Sequence, residues 1–277
     1  MTKTTKRLTR TMVYLILLLA SLIANLPILT MILNSFKSNS EILTSKSMLP
    51  VQWTLSNYQF VNEKSAFWHQ FGNSIYVTAV SLLLTIVVGA LAGYAISRFT
   101  TWISGTFSVL LLLLQMFPII LVLLPLFVTF RSLHLTNTLN SVVIIQTATH
   151  LPFAVLMFKS FFDTIPKEIE EAAWMDGCSR WSTFSRIVLP ISGSGIAAVS
   201  IFSILFSWND YLIANTFIKK ESLMTVPIGL QLFMQQNSAE WGSLTAAATL
   251  STLPILIFLF FVQKYMAYGS AAGSVKG

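Results

Sequence analysis

The chain has 277 residues, of which 55% are hydrophobic and only 10% charged. Soluble domains carry about 25% charged residues, so a water-soluble fold of this length is excluded and a multispanning membrane protein remains. The net charge of +7 is then a topological signal, not a nucleic-acid one, because Lys and Arg collect in cytoplasmic loops. A single cysteine, Cys178, excludes an intrachain disulfide.

In chain order, six apolar stretches are long enough to cross about 30 Å of hydrocarbon, which takes roughly 20 helical residues. They lie near residues 12–34, 75–95, 107–130, 141–162, 191–217 and 244–265. The first is too long for a removable signal peptide, and no small-residue cleavage site follows it. Continuous apolar runs satisfy their own backbone as helices, and alternating barrel strands are absent from the sequence. The expectation is an all-α polytopic membrane protein, one transmembrane domain over residues 1–277, with six transmembrane helices. Gly89 and Gly93 form a G-x-x-x-G pair suited to close helix packing. Pro118, Pro125, Pro152 and Pro254 would kink their spans.

Lys and Arg set the orientation. With the N-terminus in the cytoplasm, Lys3, Lys6, Arg7, Arg10, Arg98, Lys159, Lys167, Arg180, Arg186, Lys264 and Lys276 face inward. Lys37, Lys46, Lys64, Arg131, Lys219 and Lys220 then face outward, a ratio of 11 to 6. Both termini are cytoplasmic in this arrangement, the C-terminal one as a tail over residues 266–277. Residues 37–72 and 218–241 become external stretches. Their Trp53, Tyr58, Trp68 and Trp241 suit an interfacial aromatic belt or contact with an extracytoplasmic partner.

The segment between spans four and five, residues 163–190, is unlike its surroundings. Lys167, Glu168, Glu170, Glu171, Asp176, Arg180 and Arg186 crowd into it. Pro166 suits a first helical position, with Thr164 or Asp163 as the cap. Ile165, Ile169, Ala172 and Ala173 recur at helical spacing and predict one apolar face. Gly177 suits a left-handed helix end. A second helix would carry Trp181, Phe184 and Ile187 or Val188 on one side, and Pro190 would stop it. An amphipathic helix resting on lipid would be basic on its polar face. This one is acidic, with small residues at its tip, which suits a cleft on another protein where Arg or Lys meets Glu171 or Asp176.

Span five carries "SWNDYL" in its outer part. Trp208, Asn209, Asp210 and Tyr211 there offer an aromatic ring beside amide and carboxylate groups, as a sugar face and its hydroxyls require. A packing network at the membrane boundary is the other reading. Gln115 and Met116 in span three, with Gln146 and His150 in span four, are lesser candidates for the substrate path. Gln231, Gln235 and Gln236 fall in the second external stretch. No catalytic residue and no metal site is predicted. The chain has no G-x4-G-K-[ST] phosphate loop, no G-x-G-x-x-G turn, no H-E-x-x-H spacing and no G-x-S-x-G elbow.

Glu171-Ala172-Ala173, three residues, Gly177, nine residues, Ile187, one residue and Leu189-Pro190 reproduce the EAA-x3-G-x9-I-x-L-P signature. On this segment the chain resembles the permease subunits of binding-protein-dependent ABC importers. "SFKSNSEI", "TLSNYQF", "NSIYVTAVS", "GYAISRF", "WNDYLIA" and the terminal "GSVKG" extend the resemblance to the carbohydrate-uptake group, specifically its shorter, maltose-type inner subunit. The resemblance implies a role for each matched part. The loop would be the coupling helix seated in a groove of a cytoplasmic ATPase. Glu171 would form the ion pair, Ala172 and Ala173 would permit close approach, and Gly177 would set the turn. The tail ending Ser274-Val275-Lys276-Gly277 would reach the ATPase dimer. The chain itself would bind no cofactor, with ATP and Mg held by the partner ATPase. Expected partners are a second permease, two ATPase copies, an extracytoplasmic binding protein and lipid, in a bacterial or archaeal cytoplasmic membrane. A secondary transporter driven by protons or sodium is the competing class, and it would want buried acid or His relays and repeated halves.

Overall fold

The computed structural model describes residues 3–63, 65–235 and 240–273, and among them there is helix but no strand. Four helices are long and apolar enough to span a membrane: α1 (Lys3–Asn34), α4 (Phe67–Arg98), α7 (Leu139–Asp163) and α14 (Trp241–Gly273). Two bent pairs raise the number to six if each is one span: α5 (Trp102–Met116) with α6 (Ile119–Ser132), and 180–191 with α11 (Gly193–Trp208). The protein is therefore a multi-pass, all-helical membrane protein.

Three boundaries differ from those expected. The run 107–130 is not one helix but two, bent by 95°. Pro118 has no amide hydrogen and pushes the preceding residue out of the helical region. Phe117 accordingly sits extended, at φ −80° and ψ 123°. Pro125, Pro152 and Pro254 lie inside continuous helices. The run 191–217 is bent by 74° at its start and is interrupted between Trp208 and α12 (Leu212–Phe217). Helix α14 continues to Gly273, so residues 266–273 are helical and not loose tail. Ser274 to Gly277 and Gln236 lie outside the described residues.

The chain divides into two compact units. One comprises Met1–Phe67 and Leu230–Thr252. Here the segments "SFKSNSEI" and "TLSNYQF" meet. Asn57, buried at the start of α3 (Ser56–Glu63), donates Nδ2 to the carbonyls of Ser35 and Lys37, both at 2.8 Å. Ser35 Oγ and Tyr58 Oη lie 2.7 Å apart, and the Phe36 ring packs on Trp53 and Tyr58. Ser38 caps α2 (Asn39–Thr44), and Asn39 accepts from the Trp241 amide. Gly242 leaves room for Asn57, whose Oδ1 would lie 2.5 Å from any added Cβ. Trp53 and Tyr58, two of the four aromatics expected on the outer side, thus pack on this loop framework.

The other unit comprises Trp68–Gly229 and Leu253–Gly277. Helix α7 is its scaffold, packed against α5, α11 and α12. One cluster joins Val77, Val142, Val143, Ile213 and Phe217. A second joins Ala90, Ala154, Phe158, Phe162, Phe184 and Val188. Gly93 brings α4 onto the backbone of α7, since a Cβ there would stand 2.9 Å from the Lys159 nitrogen and the Val155 oxygen. The expected G-x-x-x-G contact is thus made, between α4 and α7.

Candidate functional site: an exposed helical tip and a broken span

After α7 the chain turns through residues 164–166 into α8 (Lys167–Met175). Pro166 stands at the N-cap, one place before the helix, and gives no side-chain cap. Neither expected cap serves α8. Thr164 donates its hydroxyl to Phe161, closing α7, and Asp163 accepts from Ser97 and Lys159, both at 2.6 Å. The end of α8 follows expectation. Asp176 is the C-cap, and Gly177 takes φ +85°. The Gly177 amide bonds the Trp174 carbonyl and the Cys178 amide bonds the Ala173 carbonyl, which satisfies two of the carbonyls a helix end leaves open.

The faces of α8 are not those expected. Ile165 and Ala173 are buried, but Ile169 and Ala172 are exposed. The residue turned fully inward is Glu170, 1% exposed. Its Oε1 accepts from Arg98 Nε at 2.5 Å and its Oε2 from Tyr94 Oη at 2.5 Å. Arg98 also donates to Ser97 Oγ (3.0 Å) and to the Ile165 carbonyl (3.2 Å). A buried carboxylate needs such pairing. Its neighbour Glu171, with Glu168, Ala172, Met175 and Asp176, is left facing out, and Met175 is 88% exposed.

The returning arm of the loop is α9 (Arg180–Thr183), a π turn (Phe184–Val188) and α10 (Leu189–Ile191). Phe184 and Val188 are buried, Ile187 is half-buried, and Trp181 is exposed. Pro190 does not stop the helix. The π turn precedes it, with the Leu189 amide bonded five residues back to Phe184, and helical structure runs on to Ile191. A cavity of about 450 Å³ lies between this loop and the end of α4, lined by Tyr94, Arg98, Phe99, Glu171, Trp174 and Arg180. The Arg180 guanidinium lies over the Trp174 ring at 5.1 Å and the Phe99 ring at 5.7 Å.

The second candidate region is the break between α11 and α12. The Asp210 carboxylate accepts from the amides of Ile213 and Ala214 and so opens α12. Its Oδ2 also accepts from Gln146 Nε2 at 3.1 Å. Gln146, buried on α7, accepts from Ser207 Oγ at 2.5 Å, and Ser207 bonds Thr78 of α4. Asp210 and Gln146, both read from sequence, are thus brought together in a network joining three helices. Trp208 is buried edge-on to Phe71. Asn209 and Tyr211 line a cavity of about 550 Å³ with Phe206 and Asp210. Gln115 and Met116 are exposed at the end of α5 and line neither cavity. His150 is buried beside Phe206. Sequence reasoning missed Glu170, Arg98 and Tyr94 as one group. The available signal was Arg98 itself, a lone cation ending a long apolar run, which has to find an acid.

Two regions define the class: a helical bundle with one short, acidic, glycine-turned tip, and a polar break in a span. The model of the family described as binding-protein-dependent transport system inner membrane component matches residues 85–268. The chain belongs to that family, and it is the permease subunit of a binding-protein-dependent ABC importer. It is 36% identical over 278 residues to the inner membrane ABC transporter permease protein YcjP of Escherichia coli, covering 99% of each chain. It is 32% identical to the arabinooligosaccharides transport system permease protein AraQ of Halalkalibacterium halodurans, over 92% of each. Its fold matches a chain of a bacterial ABC transporter involved in the import of the polysaccharide alginate, with TM-score 0.77, 20% identity, and coverage of 96% of this chain and 99% of that one. This membership displaces the ion-coupled secondary transporter.

Proposed function

We propose that the chain is one half of the translocation path of a carbohydrate importer in the cytoplasmic membrane, coupled through its α8 tip to an ATPase dimer that binds ATP and Mg. Six spans, both termini and the 163–190 loop inside, give the orientation that Lys and Arg favour. A second, non-identical permease completes the path, and an extracytoplasmic binding protein delivers the sugar. A di- or oligosaccharide is supported by the 32% identity to the arabinooligosaccharide permease.

The observation that carries the coupling role is the division of α8 into two faces. Glu170 is bonded inward, while Glu171, Ala172 and Met175 are presented outward beside a glycine turn. An exposed carboxylate at a small-residue tip suits an Arg or Lys in a cleft, where a charge-assisted bond is about twice as strong as a neutral one. Asp176 borders the same tip, and Ala173 and Gly177 fix its shape. Ile187, Leu189 and Pro190 belong to the returning arm that joins the tip to span five. In the substrate path, Asn209 and Tyr211 are assigned to meet sugar, a reading supported by their place in the cavity lining. Trp208, Asp210 and Gln146 shape the break that presents them, and Gln115 has no role in this reading.

The test is co-purification of the ATPase with Glu171→Ala from detergent-solubilised membranes. The expected result is loss of most of the ATPase and of sugar-stimulated ATP hydrolysis, with unchanged permease yield. Full retention of both would refute the docking role.

A further inference from the structure

Resting on the docking reading above, we infer that Arg98, Tyr94 and Glu170 are positioning residues that fasten the docking helix to α4, so that loop and α4 move as one body. An isolated nine-residue helix is marginal in water, and Ala173 is the one apolar residue of α8 turned fully inward. The helix is held instead at three points by the last turns of α4. Ser97 bonds Asp163 at the end of α7, Arg98 bonds the Ile165 carbonyl just before α8, and Arg98 with Tyr94 bonds Glu170 on α8 itself. The pair is nearly dry, with Arg98 and Glu170 side chains 10% and 2% exposed. Sliding it open would strand a charge in a poor solvent, so the joint is stiff.

The other end of the loop is built differently. Between the tip and α11 lie a π turn, Pro190 and a 74° bend at Ser192, whose amide is shared between the Val188 and Leu189 carbonyls. Phe184 and Val188 seat the π turn in the core beside Ala90 of α4, so the break in continuity lies between that seat and α11, at Pro190 and Ser192. Displacement of the tip is therefore delivered first to α4. Gly93 seats α4 against the α7 backbone, which carries the movement onward. The adjacent glutamates divide the work: Glu171 takes the push and Glu170 hands it to a span.

Spin labels measure this directly in the assembled transporter in nanodiscs, attached to the permease before the ATPase is added and with cysteines removed from the other subunits. Cys178 and Ile75→Cys report loop against α4, and Cys178 and Leu205→Cys report loop against α11. The first distance is expected to be narrow and equal in the nucleotide-free and ATP–vanadate-trapped states, while the second shifts between them. Glu170→Gln broadens the first distance, and the exchanged pair Arg98→Glu with Glu170→Arg narrows it again. A purely structural pair would lower the melting temperature of Glu170→Gln while leaving that distance narrow, and this result overturns the inference, as does a nucleotide-dependent first distance in the wild type. If Glu170→Gln fails to assemble, the exchanged pair decides: assembly with a narrow distance supports the joint, and a broad one refutes it. Glu171→Ala separates the two readings. It should lose the ATPase with the first distance still narrow, and retention of the ATPase refutes docking without touching the joint.

Discussion

Asp210 shows how one side chain serves two masters at the residue scale. Its oxygens accept two amides at the start of α12 and the amide of buried Gln146. That work is architectural, and it occupies the carboxylate that sequence reading offered to sugar. Loss of a cap costs about 0.5–2 kcal/mol, and a stranded buried donor on Gln146 costs about 1–3 kcal/mol more. Asp210→Ala is therefore expected to lower transporter stability by about 1.5–5 kcal/mol and uptake in proportion. Asp210→Asn keeps one carbonyl oxygen, so most uptake should survive with a smaller loss of melting temperature. Abolished uptake in a fully stable Asp210→Asn would instead make the charge itself part of the substrate path.

At the scale of elements, α4 and α7 are locked by absence of volume. A Cβ at Gly93 would lie 2.6 Å from Phe158 Cβ and 2.9 Å from α7 backbone, whereas one at Gly105 in α5 meets nothing within 4 Å. Backbone cannot step aside as a side-chain end can, and overpacking costs about 1–3 kcal/mol. Gly93→Ala should lower the melting temperature of the purified transporter, while Gly105→Ala should leave it equal or slightly raised, because Gly inside a helix costs about 0.5–1 kcal/mol relative to Ala. Equal effects would mean that the close approach is not a stability determinant. This contact was readable from sequence, since four-residue spacing of glycines is a local pattern. So were the tip and its Gly177 turn, because charge is scarce elsewhere and cap chemistry acts within a few residues. What could not be read depended on partners far along the chain. Glu170 and Arg98 are 72 positions apart, and Gln146 and Asp210 are 64 apart. Periodicity alone placed Ile169 and Ala172 on the inner face of α8, and a buried ion pair rotated the helix away from that choice. The π turn before Pro190 was hidden for the same reason. A proline signals that a bond is missing, not how neighbouring turns rearrange around the loss.

For the whole molecule, the proposed orientation rests on a modest excess of Lys and Arg on the inner side, 11 against 6, four of the eleven in the first ten residues. The tip supplies an independent probe of it. Cys178 is the chain's one cysteine and sits half-buried just past Gly177. It needs no engineering to report which side of the membrane the tip occupies. A membrane-impermeant maleimide should label the permease in inverted vesicles and not in right-side-out ones, read by mass shift of the purified chain. Bound ATPase should cover the tip, so labelling should rise when the permease is expressed without its ATPase. Labelling from outside alone would place the 163–190 loop on the wrong side for any cytoplasmic motor, and the acidic tip would then have to serve the binding protein instead. Labelling indifferent to the ATPase would leave the orientation intact but deny contact at the tip. The two outcomes separate where the loop lies from what it touches, which the lysine and arginine count cannot do.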